Sequence, residues 1–113
     1  MSISTHVLDT AQGQPAAEVP VRLERREASG NWELVGSGRT DRDGRCTQLL
    51  PDGEALATGS YRLSFDTAAY FRRRNVEGLY SSVEIAFEVR SGDKRFHLPL
   101  LLSPNGYTTY RGS

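Results

Sequence analysis

The chain has 113 residues, and its 14 Lys and Arg balance 14 Asp and Glu to a formal net charge of zero. That length predicts one domain over 1–113, and the neutral balance argues against a nucleic-acid ligand or a polybasic membrane anchor, both of which require excess positive charge. With 37% apolar residues the core of a monomer is modest, so burial between subunits would add to it.

Along the chain the dominant signal is alternation with a period of two, the mark of strands buried on one face. Ser4-Thr5-His6-Val7-Leu8-Asp9-Thr10 reads as a strand carrying His6. Val21, Leu23 and Arg25 alternate with Arg22, Glu24 and Arg26; Ser29-Gly30-Asn31 is a turn, and Trp32 with Leu34 opens the next strand. Asp41-Arg42-Asp43-Gly44 is a second turn, Arg45-Cys46-Thr47-Gln48-Leu49-Leu50 a strand, and Pro51-Asp52-Gly53 a third turn. Tyr61, Leu63 and Phe65 alternate with Arg62, Ser64 and Asp66. Asp66-Thr67-Ala68-Ala69-Tyr70-Phe71-Arg72-Arg73 begins with an N-cap residue type and predicts one short helix, after which Asn75 and Gly78 return the chain to the sheet. Val83, Ile85, Phe87 and Val89 then alternate with Glu84, Ala86, Glu88 and Arg90.

The next strand differs in kind. In Phe96-His97-Leu98-Pro99-Leu100-Leu101-Leu102 both pleat faces are largely apolar after His97. Such a strand should be covered on both sides; a two-layer sandwich covers one, which predicts a second subunit on the other. Pro99 cannot donate to a ladder and predicts an edge position or a bulge. Pro104-Asn105-Gly106 reads as a turn and Tyr107-Thr108-Thr109-Tyr110 as a strand running into Arg111-Gly112-Ser113. Free ends usually fray, so an ordered aromatic strand there predicts a segment that is held. The whole reads as an all-β, two-sheet sandwich of about eight strands with one short helix. No apolar run approaches the roughly 20 residues of a membrane span.

Few residues suit chemistry. His6 and His97 are the two histidines, the side-chain type that best exchanges protons near neutrality. Arg45, at the mouth of its strand, can bind a planar anion or a carbonyl through paired hydrogen bonds, but as one of 14 basic residues it reads on this pattern alone as an ordinary surface arginine. Asp41-x-Asp43-Gly44 resembles the start of a calcium loop but lacks the later ligands, so a plain turn is the better reading. Arg72-Arg73-Arg74 reads as a solvated helix end, whose charge suits a helix C-terminus. The one cysteine, Cys46, excludes an intramolecular disulfide and reads as a small packing residue. Two histidines and one cysteine do not furnish a zinc centre, so no metal site is predicted.

Three segments together carry a family resemblance: Ser4-Thr5-His6-Val7-Leu8-Asp9-Thr10, His97-Leu98-Pro99-Leu100-Leu101-Leu102-Ser103-Pro104, and Tyr110-Arg111-Gly112-Ser113. In order and at full length they resemble the 5-hydroxyisourate hydrolase family, transthyretin-related enzymes of urate breakdown. Asp43-Gly44-Arg45 and Tyr61-Arg62-Leu63-x-Phe65-Asp66-Thr67 fall within the same resemblance. It implies a transthyretin-like sandwich, assembled as a homotetramer (a dimer of dimers) with active sites between dimers. It also implies active-site positions at His6, Arg45, His97, Tyr110, Arg111, Gly112 and Ser113, with no cofactor and no metal. Two places depart from the family's habit: Leu79-Tyr80-Ser81-Ser82, where relatives carry an aromatic pair and a proline, and Asn105 in the turn.

The implied reaction opens the six-membered ring of a purine-derived cyclic amide, 5-hydroxyisourate, to 2-oxo-4-hydroxy-4-carboxy-5-ureidoimidazoline. Water must lose a proton as it attacks, the carbonyl oxygen must be stabilised, and the departing nitrogen must gain a proton. On this reading His6 and His97 position and deprotonate water, with the choice of base left open. Arg45 stabilises the developing charge, and Ser113 binds the ring's polar edge and helps relay a proton. One rival is a carrier on the same sandwich, since fold does not fix function; the two histidines, Arg45 and the Tyr-Arg-Gly-Ser segment distinguish the enzymes. A second rival, an adhesion sandwich, leaves those residues unexplained. The lack of a signal peptide or a Ser-Lys-Leu ending points to the cytoplasm.

Overall fold

The computed structural model describes residues 2–50 and 56–113. Those residues form nine strands and one helix: β1 (Ser2–Asp9), β2 (Gln14–Pro15), β3 (Pro20–Arg26), β4 (Trp32–Arg39), β5 (Arg45–Cys46), β6 (Gly59–Phe65), α1 (Thr67–Arg73), β7 (Val83–Val89), β8 (Arg95–Ser103) and β9 (Gly106–Thr109). One sheet runs β2-β1-β8-β9, with β5 also paired to β1; the other runs β4-β3-β6-β7. Every pairing is antiparallel except β1 with β8, which is parallel from Ser2↔Arg95 to Asp9↔Leu102.

Alternation decides which side chains meet between the sheets. Ile3 and Val7 of β1 and Phe96, Leu98, Leu100 and Leu102 of β8 face Val21, Leu23, Tyr61, Leu63, Phe65, Val83 and Val89 of the second sheet, and all are buried. Thr5 and Asp9 share the inner face of β1, and both are satisfied. Thr5 Oγ1 donates to the Leu98 carbonyl at 2.6 Å, and Asp9 accepts from Tyr70 Oη at 2.7 Å and Gln12 N at 3.1 Å. Burial and the bond to Asp9 push the Tyr70 hydroxyl up to about 12, so it is a hydrogen-bond donor at any ordinary pH.

The helix forms where its sequence predicts. Asp66 Oδ1 accepts from Ala69 N at 3.0 Å as N-cap, while Thr67, Tyr70 and Phe71 turn inward. Asn75, at a φ of 56°, closes the C-terminal end. Arg73 is less free than a solvated end implies, since its Nη2 donates to the Ala17 and Glu18 carbonyls.

Two sequence expectations are corrected. The strand expected over residues 45–50 pairs only through Arg45 and Cys46. Beyond them the chain leaves the ladder to bury Leu49, whose main chain lies against Gly36 of β4. Pro99 occupies neither an edge nor a bulge: β8 lies between β1 and β9. The β9 ladder ends at Leu100↔Thr109, so Pro99 sits just past it, where no ladder donor is required. The turn expected at Pro51-Asp52-Gly53 lies outside the described residues.

Candidate active site

The residues left on the outer face of the β1–β8 pair are the chemically interesting ones. With Ile3, Thr5, Val7 and Asp9 inward, Ser4, His6 and Leu8 must point outward. On β8 the even positions are inward, which leaves His97, Pro99 and Leu101 outside. The parallel register sets Ser4 beside His97 and His6 beside Pro99. On the other flank of β1, Arg45 is the direct cross-strand partner of His6, a position that brings Cβ atoms to about 5 Å. His6, Arg45 and His97 therefore share one face.

Both histidines are held from behind. His6 Nε2 lies 2.9 Å from the Asp43 carbonyl oxygen. A carbonyl only accepts, so Nε2 carries the hydrogen and Nδ1 is the lone-pair nitrogen of the neutral ring. His97 Nδ1 lies 2.9 Å from Ser4 Oγ, which fixes the plane of that ring. Burial pushes the His97 pKa down from its ordinary value, and the nearby positive charge of Arg45, then His6 and Arg95, adds to the effect. His97 is accordingly neutral at pH 7.

The turn between β4 and β5 sets Arg45 in place. Gly44 adopts a φ of 79°, a conformation natural to glycine, and a Cβ there would strike the Val7 carbonyl. Its own carbonyl accepts from Val7 N at 2.7 Å. Asp41 Oδ1 accepts from Asp43 N at 2.9 Å and Arg45 N at 3.0 Å.

The segment after β9 folds back onto β8. Gly112 N donates to the His97 carbonyl at 2.7 Å, and a Cβ on Gly112 would come within 2.7 Å of His97 Cδ2 and 3.4 Å of Pro99 Cδ. Absence of a side chain is what lets the segment lie against the histidine. Part of the outer face of β8 is thus covered by the chain itself. Arg111 anchors this segment: Nη2 donates to the Arg95 carbonyl at 3.2 Å and lies 3.6 Å from Asp93, and its guanidinium sits 4.3 Å from the Phe96 ring centroid.

Of the seven residues singled out by sequence, His6, Arg45, His97 and Gly112 are brought together. Tyr110 and Ser113 are exposed, and Arg111 is engaged at the start of β8. Ser4 and the Asp43 carbonyl escape a reading based on reactive side chains. Ser4 was legible as a same-face neighbour two residues before His6, whereas a main-chain carbonyl leaves no mark in sequence. Cys46 is buried and its thiol is pushed up by desolvation, the opposite of an activated nucleophile. Among the described residues no three His, Cys, Asp or Glu gather as metal ligands would.

Comparison with known proteins narrows the meaning of this arrangement. A 5-hydroxyisourate hydrolase of Mus musculus is 46% identical over 112 residues, covering 98% of this chain and 94% of its own. The structure of Klebsiella pneumoniae 5-hydroxyisourate hydrolase superposes with a TM-score of 0.86 at 36% identity, covering 99% of this chain and 98% of its own. Sea bream transthyretin in complex with thyroxine superposes at 0.90 with 31% identity, covering 97% and 93%. Residues 3–112 match the HIUase/Transthyretin family. This chain belongs to that family.

Proposed function

We propose that the protein is a 5-hydroxyisourate hydrolase, opening the six-membered ring of that purine-derived amide with water. The observation that carries the site is the convergence of His6, Arg45 and His97 on one sheet face, with Gly112 laid against His97. The sandwich alone is shared with a thyroxine-bound transthyretin, so the reading rests on these side chains and on the hydrolase relatives rather than on the fold.

The tautomer of His6 divides the labour. With Nε2–H given to the Asp43 carbonyl, Nδ1 accepts a proton from water as its oxygen bonds to the ring carbonyl carbon. The Nε2–H···O bond becomes charge-assisted as it does so. His97, neutral and held by Ser4, orients that water. The Arg45 guanidinium receives the charge that gathers on the carbonyl oxygen. When the ring C–N bond breaks, the electron pair stays on nitrogen, and the proton held at His6 Nδ1 passes to it. Ser113 binds the ring's polar edge and helps relay that proton, with Tyr110 and the 111–112 main chain lining the pocket. Direct attack by water requires no covalent intermediate and no cofactor.

We place the reaction in the cytoplasm, in keeping with a lone, unpaired cysteine. The assembly is a homotetramer, a dimer of dimers. Exposed Leu79, Tyr80, Tyr107 and Tyr110 and the outward Leu8 and Leu101 are apolar surface for such contacts. Following ultraviolet absorbance of freshly generated 5-hydroxyisourate tests the activity. Decay accelerated in proportion to protein concentration is expected; decay at the buffer rate rejects it.

A further inference from the structure

By sequence the Asp41-Arg42-Asp43-Gly44 turn does no more than reverse the chain, yet its hydrogen bonds reach both sides of the site. One carboxylate oxygen, Asp41 Oδ1, captures the main-chain N–H groups of Asp43 and Arg45 at 2.9 and 3.0 Å. The Asp41 main chain closes the same ring of bonds, its N donating to the Arg45 carbonyl at 2.8 Å and its carbonyl accepting from Gly44 N at 2.9 Å. The carboxylate thus holds the 42–43 and 44–45 peptide planes, which bracket the 43–44 plane; that plane is tied through Gly44 N to the Asp41 carbonyl and presents the carbonyl that His6 Nε2 donates to. Capturing Arg45 N fixes the residue opposite His6 in the β1–β5 pair. Asp41, Arg42, Asp43 and Arg45 are all exposed, so no hydrophobic packing of their own holds them in place.

We infer that Asp41 is a positioning residue of the active site: its single carboxylate oxygen sets the His6 tautomer, through the Asp43 carbonyl, and the placement of Arg45. The role at the reacting centre rests on the hydrolase reading, but the effect on His6 does not. The Arg45 N–H bond, ahead of the other influences, holds the Asp41 carboxyl below its ordinary value, so it is ionised and purely an acceptor across the neutral range. Its carboxylate partners, Asp43 and Arg45, are the two residues that frame His6.

The test compares Asp41→Ala, which removes the acceptor, with Asp41→Asn, which keeps an oxygen at the same position. Nitrogen-15 chemical shifts of labelled histidine report the His6 tautomer without substrate, and melting curves report the fold. For Asp41→Ala we expect His6 to drift from the Nε2–H form to a mixture. Its kcat should fall roughly 10- to 100-fold through lost positioning, with KM raised and the melting curve close to native. Asp41→Asn should keep the native tautomer and native kinetics. A native His6 spectrum in Asp41→Ala overturns the inference, as does an Asn variant as impaired as the Ala variant. If the native protein fails to consume 5-hydroxyisourate, the hydrolase reading falls, while the tautomer comparison still decides whether Asp41 governs His6.

Discussion

At the scale of single residues, the proposed site joins reactive side-chain types with less conspicuous groups that hold them. His6 and His97 were legible as candidates because few residue types can move a proton and this chain has two histidines, whereas Arg45, one of 14 basic residues, stood out only through the family resemblance. Their supports were less so, because Ser4 and the Asp43 carbonyl act through position. Gly112 would serve the proposed site with no chemistry of its own. Replacing it with alanine would put a methyl carbon 2.7 Å from His97 Cδ2 and force the ring off Ser4. Gly112→Ala should lower kcat by roughly 10- to 100-fold while leaving the melting temperature near native, a split that steady-state kinetics and calorimetry check together. His97 also gives stability a pH dependence. Its pKa is lowered in the folded chain from an ordinary 6.5, so as pH falls the unfolded chain takes up the proton first. The contribution from His97 is full above pH 6.5 and is lost progressively as pH falls from there toward the lowered folded value. Melting temperatures of native protein and His97→Asn across that range should show the native decline blunted in the variant.

Among the elements, strands with clean alternation were easy to place: β3 and β6 bury Val21, Leu23, Tyr61, Leu63 and Phe65 as their pattern predicts, and β7 buries Val83 and Val89 with Ile85 and Phe87 partly covered. The helix was equally plain, since Asp66 caps it and Tyr70 and Phe71 give it a buried side. Segment 45–50 misled because its side chains suit a strand, while the pull on it is tertiary: Leu49 is fully buried against β4. Pro99 misled for a related reason, since a missing donor is harmless wherever a neighbouring ladder stops, even in an inner strand. The parallel pairing of β1 with β8, which creates the site, joins residues about ninety apart and has no local signature. The buried bond from Tyr70 to Asp9 ties α1 to the end of β1. Tyr70→Phe would leave that Asp9 oxygen without its donor and should destabilise the fold by about 1–3 kcal/mol, measurable by urea denaturation. An unchanged midpoint would show that the bond contributes nothing net.

For the whole molecule, one outer face carries the candidate chemistry while the inner faces carry the stability. A similar sandwich is found in a thyroxine-bound transthyretin and in a hydrolase. The proposed tetramer should appear in sedimentation velocity as an assembly of four 12.5 kDa chains; a monomer at assay concentrations would contradict it. What sequence could not supply is how its three reactive groups, at positions 6, 45 and 97, combine; that depends on register across two strand pairs. The central claim is that they act as one unit, and the direct measurement is turnover of 5-hydroxyisourate by His6→Asn, His97→Asn and the double variant. Each single substitution should cost roughly 10²- to 10⁴-fold in kcat, and the double variant little more than the worse single, as for groups serving one step. Native turnover in either single variant, or losses that simply multiply in the double, would contradict it.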